Sequence, residues 1–159
     1  MPQTSYTNRP EIGLPGQLFG TERPKLLTKQ AEGNLPFGIA VTYGTAEKEV
    51  AAPTSGSDVI IGVVVRNMDK NTSHLSGTNQ VEDGSLHPVI CEGMVYVEVE
   101  DAVTAGGQVF VRHTAAGAEV LGAFRSDADT SDAAALAGAR YITSADAGEL
   151  AVLQLNLPS

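Results

Sequence analysis

The chain has 159 residues, of which 42% are hydrophobic and only 5% aromatic, with no tryptophan. That length suits one compact domain with an appendage rather than two domains. Its formal net charge of -9 disfavours binding to nucleic acid, because an acidic surface repels phosphate groups. No apolar run reaches the roughly 18 residues of a membrane-spanning helix, and no signal peptide is recognisable, so we expect a soluble protein made in a reducing compartment.

The first 36 residues differ from the rest of the chain. They contain five of the eight prolines, and their large apolar residues occur singly or in pairs without a helical or strand period. Such a segment cannot bury these side chains on itself, so it needs the surface of its own body or of another subunit. We therefore predict an extended N-terminal interaction arm at residues 1–36 and a β body at residues 37–159. The predicted partner-binding anchors of the arm are Leu14, Leu18, Phe19, Leu26 and Leu27.

The charge is divided in the same way. The arm has four basic and three acidic residues and sums to +1, whereas residues 37–159 have six basic and sixteen acidic residues and sum to -10. Only the arm is therefore suited to an acidic partner, and its excess of positive charge is slight.

The first half of the body contains two predicted strands and a long polar segment. Residues 37–43 alternate, which places Phe37, Ile39, Val41 and Tyr43 on one face of a strand. Residues 59–65 are apolar on both faces and mostly β-branched, as is typical of a central strand, and Gly62 within them indicates a bulge or a close backbone approach. Residues 66–86 are polar and form a loop of about 20 residues, a length that usually indicates function or flexibility.

The second half continues the strand pattern. Residues 108–113 and 119–124 predict a hairpin. The alanine-rich residues 133–138 are compatible either with one or two helical turns capped by Asp132 or with a loop. Further strands are predicted at 88–92, 94–100, 139–143 and 150–157. About seven short strands with almost no helix predict an all-β fold, an antiparallel β sandwich or barrel with the arm extending from it.

A series of short motifs runs along the chain in a characteristic order. They are Pro15–Gln17, Phe37–Val41, Gly62–Arg66, Gly93–Val97, Gly106–Val111 and Gly138–Ala145. Together they resemble the structural cement, or decoration, proteins of tailed bacteriophage capsids, and the resemblance covers roughly residues 14 to 157. One departure is Gly106-Gly107, where such proteins often have a Gly-Asp turn, and both forms permit the turn.

The resemblance implies a β body that forms trimers on the outside of a mature capsid, near threefold positions. There it would tie neighbouring major capsid protein subunits together. The family has no catalytic residues to carry over to this chain.

The titratable side chains do not form a recognisable catalytic or metal-binding pattern. His74, His87 and His113 are not spaced with other ligands, and we interpret them as solvated or hairpin-end residues. Cys91 lies in an apolar run and is predicted to be a buried, inert thiol.

Two acidic clusters have similarly plain interpretations. The segment 127–132 lacks the glycine and glutamate of a calcium loop, so a solvated acidic loop is favoured over weak cation binding. Glu98 and Glu100 share one face of a strand, as a glycosidase pair would, but few aromatic residues are available to stack on a sugar. We therefore interpret this second cluster as a solvent-facing edge.

The sequence thus predicts a non-enzymatic virion protein, without a cofactor, that decorates and stabilises the exterior of a bacteriophage capsid. Its predicted partners are the major capsid protein and further copies of itself in a homotrimer, and not nucleic acid or a membrane. It would be made in the host cytoplasm. Two alternatives remain open. One is a head–tail or tail-tube protein that stacks through residues 66–86, and the other is a carbohydrate-binding β module that uses Tyr43, Tyr96 and Tyr141.

Overall fold

The computed structural model describes residues 13–67 and 80–158 and has an all-β fold, as predicted. Residues 1–12 of the predicted arm and most of the long polar loop, including His74, lie outside the described residues. No helix in the two described ranges is long and apolar enough to cross a membrane. The strands are β1 (Lys25–Ala31), β2 (Leu35–Pro36), β3 (Ala40–Tyr43), β4 (Glu49–Ala51), β5 (Ile60–Val64), β6 (Gln80–Val81), β7 (Leu86–Glu98), β8 (Gln108–Arg112), β9 (Phe124–Arg125), β10 (Ala133–Tyr141) and β11 (Leu150–Asn156).

Five strands from the first half of the fold close into a small barrel. Strand β1 pairs antiparallel with β7, and the order then runs through β5, β3 and β4 back to β1. The closing pair, β4 with β1, is parallel, so the barrel is not wholly antiparallel. Alternate side chains point inward because successive residues of a strand face opposite sides of the sheet. The interior is filled by a buried cluster that includes Leu35, Phe37, Val41, Val64 and Val89.

The remaining strands form the second half of the same sheet. From β7 the order continues through β11, β10, β8 and β9. Phe124 of β9 also forms a parallel bridge with Val99, which directly follows β7, so this half curls back towards the strand at which it begins. Its core is a second buried cluster, in which Val95, Phe124, Tyr141 and Leu153 are at most 1% exposed.

Strand β7 belongs to both halves and is longer than predicted. The sequence indicated two strands, 88–92 and 94–100, separated by Gly93, whereas the structure has one strand of 13 residues. Gly93 has a φ of 128°, which glycine adopts at little steric cost. Next to it, the register against β1 slips, because Lys25 lies opposite Glu92 and Leu26 lies opposite Ile90. The glycine therefore bends the strand instead of ending it.

Gly62 occupies the close approach that the sequence predicted. A Cβ atom at this position would overlap the Val89 side chain and the carbonyl group of Ile90 on β7. The register between β3 and β5 also shifts at the same place, between Val41 and Thr42. Both interpretations of this glycine, a bulge and a close backbone contact, are therefore confirmed.

One local prediction is wrong and a second is wrong in part. The alanine-rich residues 133–138 are neither helix nor loop but part of β10, in which Ala133 and Leu136 are buried. Pairing of Ala133, Ala134 and Ala135 with β8 overrides the helical preference of alanine. The predicted hairpin is present, because β8 pairs antiparallel with β9, but its second strand is only Phe124–Arg125, and residues 119–123 are turn or irregular.

The described part of the predicted arm lies along its own body. The backbone N–H of Gly16 donates to the carbonyl of Tyr96 at 2.8 Å, and that of Phe19 donates to Met94 at 3.0 Å. Further along, β1 pairs with the first half of β7 over six residue pairs, from Lys25 to Gln30. Residues 16–30 therefore follow one side of β7 almost continuously. That residues 1–36 act as an arm towards another subunit stays a prediction.

Candidate interaction surface

The five predicted anchors lie on the N-terminal segment that runs alongside β7, and four of them are exposed. Leu14, Leu18, Phe19 and Leu26 keep between 36% and 46% of their surface accessible. Leu27 instead packs, partly buried, against the core of the second half. Strand alternation explains the contrast, because Leu26 and Leu27 point to opposite faces of β1. The segment thus holds four large apolar side chains at the surface.

Close packing fixes the start of this segment. Gly13 lies against the ring of Tyr96, where a Cβ atom would come within 2.6 Å of a ring carbon. The ring of Phe19 meets the same tyrosine edge-on, with the ring centroids 5.4 Å apart. Gly16 has a φ of 80° and accepts a backbone hydrogen bond from Arg66 at 2.7 Å. The exposed anchors are therefore carried on a backbone that is bonded to the body at several points.

An open groove of about 880 Å³ lies beside Leu14, the one anchor among its lining residues. Leu14 and Pro15 line it on the arm side, and Val120 lines it from the turn before β9. Arg66 also lines the groove, where it donates to the carbonyl of Pro15 at 3.0 Å and lies over the ring of Phe37, 4.7 Å from its centroid. Burial lowers the pKa of Arg66. The groove therefore combines apolar walls with a cation already held in place.

The opposite wall of the groove is built on a buried arginine. Arg112 is 1% exposed and its guanidinium contacts three carboxylates, Glu100 at 2.9 Å, Glu119 at 3.1 Å and Asp129 at 2.6 Å. Burial alone would lower the pKa of Arg112, but the hydrogen bonds that it donates to Asp129 and Glu100, with the nearby negative charges, outweigh burial and leave the pKa raised. A fixed fork of five N–H donors allows one arginine to hold several acceptors at once.

Arg125 extends this network to a strained turn. It contacts Asp129 at 2.7 Å, Asp127 at 2.8 Å and Glu100 at 3.3 Å. The turn consists of Asp129–Ser131, and all three residues have positive φ values, between 41° and 87°, which non-glycine residues rarely adopt. The hydrogen bond from Arg112 holds the pKa of Asp129 below its usual value, with Arg125 contributing further. The two arginines thus stabilise a turn that its own backbone does not favour.

This network corrects the interpretation of both acidic clusters. Glu100, Asp127 and Asp129 are partners of arginines and not simply solvated carboxylates. Within the described ranges, no group of three or more His, Cys, Asp or Glu side chains is arranged to hold a metal ion. Asp127 and Asp129 therefore brace the turn through their arginine partners.

The histidine and tyrosine predictions are partly wrong as well. His87 is buried, with its ring against the carbonyl of Val65, whereas His113 lies at the end of β8 as predicted. Of the three tyrosines proposed for sugar stacking, Tyr96 and Tyr141 are buried and only Tyr43 is exposed. Burial raises the pKa of Tyr141, whose hydroxyl donates to the Arg125 carbonyl at 2.9 Å. These three residues therefore do not form an aromatic platform. Cys91 is buried, as predicted.

Sequence reasoning missed the groove and its network. Arg112 stands next to His113 at a strand end, where a charged residue normally indicates solvent. Its partners are 12, 7 and 17 positions away along the chain, so no local motif connects them. The one available signal was the excess of carboxylates between residues 98 and 132, which a buried arginine would help to neutralise.

Comparison with known proteins agrees with the predicted family. The family model described as structural cement protein (E217 gp24/Pam3 gp6) matches residues 1–156. A search of curated proteins finds no match. Among solved structures, a chain from the capsid of Myoviridae phage XM1 has a TM-score of 0.71 at 15% identity, with 96% of this chain and 95% of that chain covered. The base of the phi29 head fibre gp8.5 has a TM-score of 0.49 at 16% identity, with coverages of 84% and 95%.

At such low identity, the structural likeness to the XM1 chain concerns the fold alone. The family match covers residues 1–156, which is nearly the whole chain. The chain therefore belongs to the bacteriophage structural cement protein family.

Proposed function

We propose that this protein binds the exterior of a mature bacteriophage capsid and ties neighbouring major capsid protein subunits together. The observation that carries the proposal, beside the family, is the row of exposed anchors Leu14, Leu18, Phe19 and Leu26. Isolated apolar residues are common on protein surfaces, but a bonded segment that exposes four large ones within 13 positions suits a binding surface. The proposed role is structural and involves neither catalysis nor a cofactor.

The energetics are adequate for such a role. Completing the burial of a side chain that is already more than half buried contributes about 1 kcal/mol, since full burial of Leu or Phe contributes roughly 1.5–3 kcal/mol. Four anchors would give about 4 kcal/mol, and little of it is spent on ordering a backbone that is already bonded to β7. A homotrimer, which we also propose, would present three copies of the surface and multiply the affinity through effective concentration.

The proposal is tested with capsids stripped of the protein. We expect the double variant Leu18→Ser and Leu26→Ser to fold normally, because both side chains are exposed, and to bind the capsids at least tenfold more weakly than the wild type. The matched control is Ile142→Ser, since Ile142 is 36% exposed like Leu18 but lies beyond β10. Equal binding by the double variant and the wild type would show that Leu18 and Leu26 do not contribute to capsid binding. Wild-type protein that fails to bind would exclude the function itself.

Point substitutions are preferable to deletion of the arm. Residues 25–31 form β1, which closes the first barrel, so their removal would expose the cluster around Val41 and Val64. Loss of binding after deletion would then not distinguish loss of the anchors from disruption of the barrel. Light scattering of the isolated protein tests the trimer separately, and a monomer at micromolar concentrations would exclude it.

A further inference from the structure

Within residues 13–67 and 80–158, no strand pairs with the outer edge of β1 over most of its length. On one side β1 pairs with β7 from Lys25 to Gln30. On the other side its pairing with β4 covers only Gln30 and Ala31. Among the described residues, β1 is therefore paired on one side and has no paired strand on the other between Leu26 and Lys29.

Hydrogen bonds show which backbone groups face the open side. The N–H of Gln30 donates to Lys48 on the β4 side, and the N–H of Ala31 donates to Ser85 on the β7 side. Successive residues of a strand direct their backbone N–H and C=O groups to opposite sides. Leu26 and Thr28 are therefore oriented like Gln30, with these groups pointing away from β7. Pro88, directly opposite Thr28, agrees with this, because its carbonyl accepts from Val65, which directly follows β5 in the chain, and so points away from β1. We call the outward backbone groups of Leu26 and Thr28 the β1 edge.

The backbone of Leu18, which lies beside a later part of β7, also points outward. It lies opposite Val95, and the bonds on either side of it join Gln17 to Tyr96 and Phe19 to Met94. This is the pattern of a non-hydrogen-bonded antiparallel pair, so the N–H and C=O of Leu18 also point outward. Both segments lie on the same side of β7, and both expose a leucine side chain.

We propose that the β1 edge binds an extended segment of a different protein as an added antiparallel or parallel strand, and that this segment is apolar in its centre and flanked by carboxylates. The inference rests on the proposed function, for which it specifies how the partner is held. An open strand edge presents unpaired donors and acceptors that an incoming strand satisfies. The exposed side chain of Leu26 gives the centre of that strand an apolar contact.

Charge argues against a second copy of this chain as the antiparallel occupant. Aligning Leu26 with Thr28 of a second copy would place Lys25 opposite Lys29. Aligning Leu26 with itself would place Lys29 opposite Arg23. Like charges directly opposite one another destabilise a strand pair. The remaining register, Thr28 with itself, would need the N–H of Gln30, which already donates to Lys48.

Charge also favours carboxylates on the incoming strand. Residues 18–31 contain Arg23, Lys25 and Lys29 against Glu22, a sum of +2, so the rest of the chain sums to -11. Glu92 lies opposite Lys25 across the strand pair and offsets part of this charge. Even so, residues 18–31 are a positive stretch on an acidic molecule, and an acidic segment would be repelled from most of the surface.

The first test uses backbone chemistry at one residue. Thr28→Pro removes the outward N–H while leaving the bonds to β7 intact, because Thr28 does not face β7. We expect this variant to bind stripped capsids at least tenfold more weakly than wild type, whereas Thr28→Ala, which keeps the N–H, binds within twofold. If Thr28→Pro and Thr28→Ala bind equally well, the β1 edge is not the docking site.

A second measurement needs no variant and decides the matter if Thr28→Pro does not fold. Amide hydrogen exchange at Leu26 and Thr28 is compared between free and capsid-bound wild-type protein at residue resolution, and we expect at least tenfold slowing on binding. Unchanged exchange in bound protein overturns the inference but leaves the proposed function intact. Protection in concentrated free protein means that a second copy occupies the edge and also overturns it. Wild-type protein that does not bind capsids overturns both.

A third experiment tests whether the partner segment is acidic. Arg23→Glu is expected to weaken capsid binding at least fivefold at low salt and less at high salt, because salt screens exposed charges. Arg140→Glu makes the same change of charge on β10, where the Arg140 side chain bonds to Gln154, and should leave binding unchanged. Equal effects of the two variants would show that only net charge matters and would exclude an acidic segment at this edge.

Discussion

Replacement of Arg112 by methionine is expected to destabilise the fold more than any change at an exposed arginine. The methionine keeps much of the side chain's volume and removes the charge. It leaves three carboxylates, of Glu100, Glu119 and Asp129, without their shared cation. It also removes one of the two arginines that hold the turn at Asp129–Ser131 in its positive-φ conformation.

The magnitude follows from burial. Breaking a fully buried ion pair by removing one partner costs about 3–5 kcal/mol. Here the arginine side chain is 2% exposed, while its partners are 20% to 38% exposed, so water compensates part of their loss. We therefore expect the free energy of unfolding to fall by about 3 kcal/mol. For a chain of this length, that corresponds to a melting temperature lower by about 6–12 °C.

The assay is urea denaturation of the isolated protein, with thermal melting as a second observable. Arg140→Met is the control, because Arg140 makes a side-chain bond to Gln154 at the surface, and it should change stability by less than about 0.5 kcal/mol. In a double-mutant cycle, adding Glu100→Gln should cost less in the Arg112→Met background than in the wild type. An Arg112→Met variant within about 0.5 kcal/mol of wild type would refute the reasoning.

The remaining predictions concern pH and backbone packing. The pKa of Asp129 is depressed in the folded state, so its contribution to stability is present above its unfolded pKa, near 4, and is lost as the pH falls through the folded value. Urea titrations between pH 7 and pH 3 should show stability falling at the acid end, with a shallower fall in Arg112→Met. An equal fall of stability with pH in the two proteins would contradict this prediction. Gly62→Ala should lower the melting temperature by several degrees, since its Cβ atom would overlap Val89, whereas Gly106→Ala meets no neighbouring atom within 4 Å and tests the positive φ alone.

Strands with a clear local pattern were predictable from sequence. Residues 59–65 are a mostly β-branched apolar run and residues 150–157 alternate, and they form β5 and β11 close to the expected limits. Both signals, β-branched composition in the first and side-chain alternation in the second, depend only on neighbours in the chain. The close approach at Gly62 was predictable for a similar reason, because a glycine inside an apolar strand often marks a bulge or a place where another backbone comes near.

Features that depend on distant residues were not predictable. The alanine-rich part of β10 is a strand because it pairs with β8, and alanine carries no signal of that environment. The path of residues 16–31 along β7 depends on pairing with residues about 60 to 80 positions away. Prolines and scattered leucines indicated that this segment needs a surface, but not that its own body provides much of one. Burial of Arg112 likewise becomes visible only when its three carboxylates are brought together.

An electron-microscopy map of the particle that carries this protein tests whether it holds neighbouring capsid subunits together. We predict density for the β body on the outside of the capsid shell, with the surface around Leu18 and Leu26 in contact with at least two major capsid protein subunits. Density in the tail, on the inner side of the shell, or in contact with a single subunit would contradict the account.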